Sequence, residues 1–280
     1  MSLPRHAFRL VLLASLAVVS GCGRGNDAGD KPTPTPTPSP SPQSAATTVV
    51  PTQLPTNARP AHYAIAVTPD AANLRFAGTA TIDVDVLAAT DSITLNAADL
   101  EFQSVAIADA QSRSLDGQPA IDAAKQTATF TFPEKLADGR HVLTIHYSGT
   151  IYTHATGLFA LDYDSADGRK RALYTQFEAS DARRFFPCWD EPNFRAPFDL
   201  RVTIPAGQQA VSNMPEAARA EQPDGTVEVR FATTPAMSSY LLFMAVGEFD
   251  RITATAGATE VGVVTKKGDG EKGRYALQGE

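Results

Sequence analysis

Residues 79–86 read TATIDVDV, and this stretch decides the fold. Ala80, Ile82, Val84 and Val86 fall on one side of an extended chain, Thr79, Thr81, Asp83 and Asp85 on the other. A period of two predicts a strand with one face in a core and the other in water. The same alternation recurs in 127–132 (TATFTF), 143–147 (LTIHY), 198–204 (FDLRVTI) and 227–231 (VEVRF). Half-buried strands of this kind belong to antiparallel sheets. Residues 240–246 (YLLFMAV) are instead apolar throughout and predict a strand buried on both faces. Asp138-Gly139, Asp167-Gly168 and Asp224-Gly225 mark turns between strands. No helical period of useful length competes. The expectation is all-β: a saddle-like antiparallel β-sandwich of roughly ten to fifteen strands over residues 56–265.

The chain has 280 residues, 43% of them hydrophobic, enough to bury a sizeable core. Its net charge is -7, with no cluster of Lys and Arg, which argues against a nucleic-acid partner.

Outside the β region the composition changes. Arg5 and Arg9 precede an apolar run at 10–19 that is too short to span a bilayer, and Val19-Ser20-Gly21-Cys22 follows. This resembles a bacterial lipobox. The resemblance implies that residues 1–21 are a lipoprotein signal peptide and that Cys22 is lipidated. Gly23 rather than Asp follows Cys22, which points to a lipid-anchored protein of the outer membrane facing the periplasm. Residues 22–55 read as a Thr/Pro-rich disordered tether. The alternating prolines from Pro32 to Pro42 favour polyproline II and forbid a core. Extended, about 30 residues at ~3.1 Å each reach roughly 100 Å, enough to hold a domain clear of a membrane. The second of the two cysteines, Cys188, then has no partner within the chain, and it reads as a small buried apolar side chain rather than a catalytic thiol.

Residues 266–273 (KKGDGEKG) form a charged, glycine-rich loop, and Arg274-Tyr275-Ala276-Leu277 reads as a helix just beginning. A domain rarely ends on an element it cannot pack. Residues 266–280 are therefore expected to be a loop and the start of a second domain.

One stretch departs from plain strand patterning: 174–198, YTQFEASDARRFFPCWDEPNFRAPF. A helical turn fits at 180–186, with Ser180 as its cap and Pro187 as its stop. Gln176 and Glu178 are two apart, so in an extended segment they share a face. A carboxamide and a carboxylate side by side suit a ligand that carries an ammonium and a nearby polar group. A Glu so close to Arg183 and Arg184 is also an ordinary candidate for a structural ion pair.

The stretch resembles the N-terminal domain of the aminopeptidase N family, zinc-dependent gluzincin aminopeptidases. The family pattern is close to T-Q-x-E-x-x-x-A-R-R-x-F-P-C-x-D-E-P-x-x-[KR]-A-x-F. It is matched at Thr175, Gln176, Glu178, Ala182, Arg183, Arg184, Phe186, Pro187, Cys188, Asp190, Glu191, Pro192, Arg195, Ala196 and Phe198. Leu54-Pro55 through His62-Tyr63 resembles the family's opening strand, Ser212-Asn213-Met214 its "SNMP" segment and Met237-Ser238-Ser239-Tyr240-Leu241 its "MSTYL" strand. The likeness covers about residues 54–277. It implies that Glu178 helps bind the free α-amino group of a peptide and that Gln176 lines the pocket for the first side chain. It casts Arg183, Arg184, Asp190 and Glu191 as an ion-pair scaffold.

The family also implies zinc, held by two His of H-E-x-x-H and a downstream Glu, and a second amine-binding Glu in Gly-x-Met-Glu-Asn. Neither motif occurs here. The five histidines are His6, His62, His141, His146 and His154. His141 and His146 are five apart on a strand and face opposite sides. The four domain histidines read as surface or strand-edge residues, and no metal site is expected in this chain. The resemblance implies the N-terminal part of a membrane-tethered zinc aminopeptidase, acting on peptides with a free N-terminus and inactive alone, with residues 266–280 the loop and start of a missing C-terminal catalytic domain. The alternative is a standalone, zinc-free β-sandwich lipoprotein acting as a binding or scaffold module.

Overall fold

The computed structural model describes residues 54–278. The signal peptide, Cys22 and the tether core lie outside the described residues. The strands in chain order are β1 (Ala58–Asp70), β2 (Arg75–Val86), β3 (Thr90–Asn96), β4 (Leu100–Ala108), β5 (Ser114–Asp116) and β6 (Gln118–Asp122). There follow β7 (Thr127–Leu136), β8 (Gly139–Thr150), β9 (Gly157–Ser165), β10 (Gly168–Gln176), β11 (Arg195–Ala196), β12 (Phe198–Pro205) and β13 (Gln209–Ser212). The last six are β14 (Glu216–Glu221), β15 (Thr226–Phe231), β16 (Met237–Ser238), β17 (Met244–Gly247), β18 (Phe249–Ala256) and β19 (Thr259–Lys266). One short helix, α1 (Arg274–Gln278), comes after them.

Eight strands form the main sheet, in the order β14-β15-β12-β1-β2-β8-β4-β5. The alternation at 79–86 does what its period demands. Ala80, Ile82 and Val84 are completely buried, and β2 pairs antiparallel with β1 on one side and β8 on the other. Register lines up one apolar row across five strands: Phe198, Tyr63, Ile82, Leu143 and Ile107. All five are buried. Burying a side chain of this size stabilises by about 1.5–3 kcal/mol before ordering costs are subtracted.

Two smaller sheets share that core. In β3-β7-β6, Ile93, Leu95, Phe130 and Phe132 join the same cluster. In β13-β17-β10-β9, one face gives Leu158, Leu173, Met244 and Val246 to the core. The opposite face carries a second, smaller cluster of Ala172, Ala245 and Phe249, with Tyr163, Tyr174 and Val211 packed against it.

The all-β expectation holds, with nineteen described strands rather than ten to fifteen, and with four further corrections. The sheets are not purely antiparallel, because β1 pairs with β12 in parallel. A parallel neighbour needs a long crossover rather than a hairpin, and the chain from β2 to β11, which lies between β1 and β12, supplies one. Residues 240–246 are not one buried strand. Ser239–Leu241 is a 3-10 turn, Leu241 and Phe243 are exposed, and only β17 continues as a fully buried strand. Asn213 explains the break: its amide donates to Leu241 O at 2.8 Å and accepts Phe243 N–H at 2.7 Å, replacing ladder bonds. The helical turn spans Ala182–Arg184 only, and neither Ser180 nor Asp181 caps it with a side chain. The Asp181 carboxylate is engaged by Arg184 instead, at 2.9 Å. Lastly, His141 is buried rather than a surface or strand-edge residue, while His146, as expected, faces the other way and is exposed.

Candidate functional site

Strand β10 ends at Gln176, Phe177 follows it, and Glu178 opens a turn. Gln176 and Glu178 are exposed, while Phe177 between them is buried at 2% exposure. Both polar side chains are thus open to water, with the ring between them turned inward. The Phe177 ring anchors the segment, 5.3 Å from Phe185 and 6.4 Å from Phe186. Phe185 continues the contact to Phe76 at 5.5 Å, and Phe186 to Tyr63 at 5.8 Å and Phe198 at 6.0 Å. The loop thus sits on the main sheet through aromatic rings that its own sequence supplies. The Glu178–Ala179 peptide is cis.

Beyond Glu178 every carboxylate up to residue 191 has a partner. Asp181 takes Arg184, which also reaches Asp99 and, over 6.0 Å, the ring of Tyr152. Asp190 is the deepest: Arg183 donates to its Oδ2 at 2.9 Å and Ser239 to its Oδ1 at 2.6 Å. Arg183 is fixed further by Asp190 O and by Gln126 Oε1 at 3.3 Å. Glu191 accepts the backbone N–H of Leu54 at 2.6 Å. Glu178 has no ion-pair partner among the described residues; only its backbone carbonyl is approached, by Gln176 Nε2 at 3.5 Å. The ion-pair alternative for Glu178 is thus not realised within the described structure.

Several positioning residues carried no role in the sequence reading. Asn96 exchanges both backbone bonds with Cys188, at 2.8 and 3.1 Å, and accepts Asp190 N–H on its side chain at 3.0 Å. The Thr175 hydroxyl accepts Met244 N–H at 2.8 Å and contacts Met244 O at 3.4 Å, tying the end of β10 to β17. Only the tertiary pairing identifies Asn96, since nothing in its neighbourhood sets it apart. Thr175 could have been flagged by its fixed place in the motif.

Cys188 is completely buried, and burial, followed by the nearby Asp190 charge, pushes its thiol well above the usual range. Such a thiol stays protonated and inert, which fits the apolar role expected of it. The loop also borders a cleft of about 720 Å³, lined by Thr94, Asn96, Gln126, Ser180, Arg183 and Glu191 among others. Gln176 and Glu178 do not line it.

The described histidines do not form a zinc site. His62 pairs with Asp199, His146 bonds Thr79, His141 lies near Gly139 O, and His154 packs beside Tyr152. No group of three or more His, Cys, Asp or Glu positioned to hold a metal occurs among the described residues.

The profile of the peptidase M1 N-terminal domain matches residues 59–241. The chain is 42% identical over 228 residues to aminopeptidase N of Acetobacter pasteurianus, covering 80% of this chain and 62% of that protein. It is 35% identical over 235 residues to aminopeptidase M1-A of Oryza sativa subsp. japonica, covering 81% and 26%. With the puromycin-sensitive aminopeptidase of Caenorhabditis elegans it shares 36% identity over 232 residues, covering 80% and 24%. The chain therefore spans less than two thirds of the first relative and about a quarter of the other two.

Proposed function

The chain belongs to the peptidase M1 N-terminal domain family, and on that premise we propose that it is the substrate-gripping part of a zinc aminopeptidase. Glu178 pairs with the α-ammonium of a peptide's first residue, and Gln176 contacts that residue's side chain. The observation that carries this reading is the free carboxylate of Glu178. In a loop whose other acids are all engaged, one exposed carboxylate is left without a described partner, beside an exposed carboxamide. An ammonium is the ligand such a pair rewards, which favours removal of terminal residues over internal cleavage.

The hydrolytic step belongs in this reading to a catalytic region that carries zinc, which the residues described here do not hold. On its own the chain grips one end of a substrate and does no chemistry. Residues 1–21 then serve as a signal peptide, and residues 22–55 as a lipid anchor at Cys22 and a spacer, holding the domain at the outer membrane on its periplasmic side.

Two measurements test the proposal. The purified chain, with zinc added, is expected to leave aminoacyl p-nitroanilides intact, and turnover that a chelator abolishes would overturn its dependence on a catalytic region. In the aminopeptidase carrying this domain, Glu178→Gln is expected to lower kcat/KM by about 10- to 150-fold, the range for losing one hydrogen bond to a charged group. An unchanged kcat/KM would remove Glu178 from the amine site.

A further inference from the structure

The face on which Gln176 emerges has a neighbour that the motif does not mention. Strand β17 runs antiparallel to β10, with Leu173 opposite Val246 and Tyr174 opposite Ala245. The Thr175 hydroxyl extends the match one step by bonding Met244. Continuing this register one step further sets Phe243 opposite Gln176. Parity agrees. Tyr174 and Ala245 lie on the outer face of this sheet, so Gln176 and Phe243, each two residues away, lie on it too. Both are exposed, and Phe243, at 38%, is one of the few large apolar side chains left open to water.

The backbone of Phe243 is held firmly. Asn213 accepts its N–H at 2.7 Å, Ser212 donates to its carbonyl at 2.7 Å, and Asn213 also bonds Leu241 O at 2.8 Å. The Ser212-Asn213 pair of the SNM segment thus fixes the stretch that carries the ring. The other flank of Gln176 is Gly157, its register partner on β9, which has no side chain. A Cβ on Gly157 would come within 3.1 Å of Arg184 Cβ, and its φ of +58° is one that L side chains rarely adopt. Behind Gln176, Tyr174 packs beside Phe159 at 5.9 Å and Phe249 at 6.2 Å. The amide of Gln176 is bordered by aromatic surface on one flank and behind, and by an open glycine on the other.

We propose that Phe243 is a specificity-determining residue: it forms an apolar wall beside Gln176 and selects peptides whose N-terminal residue is large and apolar. This rests on the proposed role of Glu178 as the amine anchor. With the ammonium at Glu178, the first side chain passes Gln176 and reaches the ring. An aromatic contact of this kind corresponds to about 2- to 10-fold tighter binding of an aromatic first residue than of alanine.

The test uses the full chain and two probes with a free α-ammonium, L-phenylalaninamide and L-alaninamide, followed by backbone amide NMR. Both are expected to shift the Glu178 signal. Phenylalaninamide is expected to shift Gln176 and Phe243 at severalfold lower concentration than alaninamide does. Phe243→Ala should abolish that difference and keep the Glu178 response, while Phe243→Leu should retain part of it. Equal responses of Phe243 to both probes, or a preference that survives in Phe243→Ala, would overturn the inference and leave the Glu178 reading intact. No response at Glu178 with either probe would overturn both. N-acetylphenylalaninamide, lacking the ammonium, should leave Glu178 unmoved.

Discussion

Glu178 and Asp190 are twelve positions apart in one loop and have opposite environments. Glu178 is exposed and unengaged within the described structure, whereas the Asp190 side chain is 1% exposed and saturated by Arg183, Ser239 and Arg183's own backbone. Burying a charge is tolerable only when it is paired and hydrogen-bonded, and the Arg183–Asp190 pair meets both conditions. Its removal is therefore costly from one side. Arg183→Met should lower unfolding free energy by about 3–5 kcal/mol, because it strands the Asp190 carboxylate. Adding Asp190→Leu should recover part of the loss. Urea denaturation of the two variants checks this, and a loss under about 1 kcal/mol for Arg183→Met would mean that water reaches Asp190.

At the scale of strands, the contact between β2 and β8 depends on two glycines whose side-chain positions are filled by rings from across the sheet. A Cβ on Gly78 would lie 2.4 Å from Tyr147 Cζ, and one on Gly149 would lie 2.4 Å from Phe76 Cζ. The two rings meet edge to face at 6.3 Å, and both are buried. Neither can swing away in a close-packed core. Gly78→Ala is expected to destabilise by about 1–3 kcal/mol through overpacking, read from thermal or urea unfolding. A neutral result would show that Tyr147 has room to move. Elsewhere strand ladders are replaced by side chains. Thr175 and Asn213 bond the backbone around residues 241–244, so a run that is apolar along its whole length turns and exposes Phe243 midway.

Over the whole molecule, stability is unevenly spread. The eight-stranded sheet, the loop and the two smaller sheets share one core cluster. Strands β18 and β19 pair only with each other, and residues 253–262 are exposed. A two-stranded ribbon with little buried surface opens more easily than a central strand. Native-state hydrogen exchange should show amides of 253–262 exchanging about two orders of magnitude or more faster than those of 79–84 in β2. Comparable protection would mean that the hairpin opens only with the core.

Much of this protein follows from local order along the chain. A period of two decides that 79–86, 127–132 and 198–204 are strands with a buried face, because alternation is a property of the extended backbone itself. At residues 176–178 the same local order leaves Gln176 and Glu178 exposed and Phe177 buried. What the tertiary structure alone decided depends on partners distant in sequence. The parallel match of β1 with β12 needs the crossover to be folded. The run 240–246 breaks because Asn213 reaches it from 28 residues away. The approach of Phe243 to Gln176 follows only from the register of β10 with β17, continued past Met244. Periodicity tells a residue which side it faces, but its neighbours on that side are set by the packing of the whole chain.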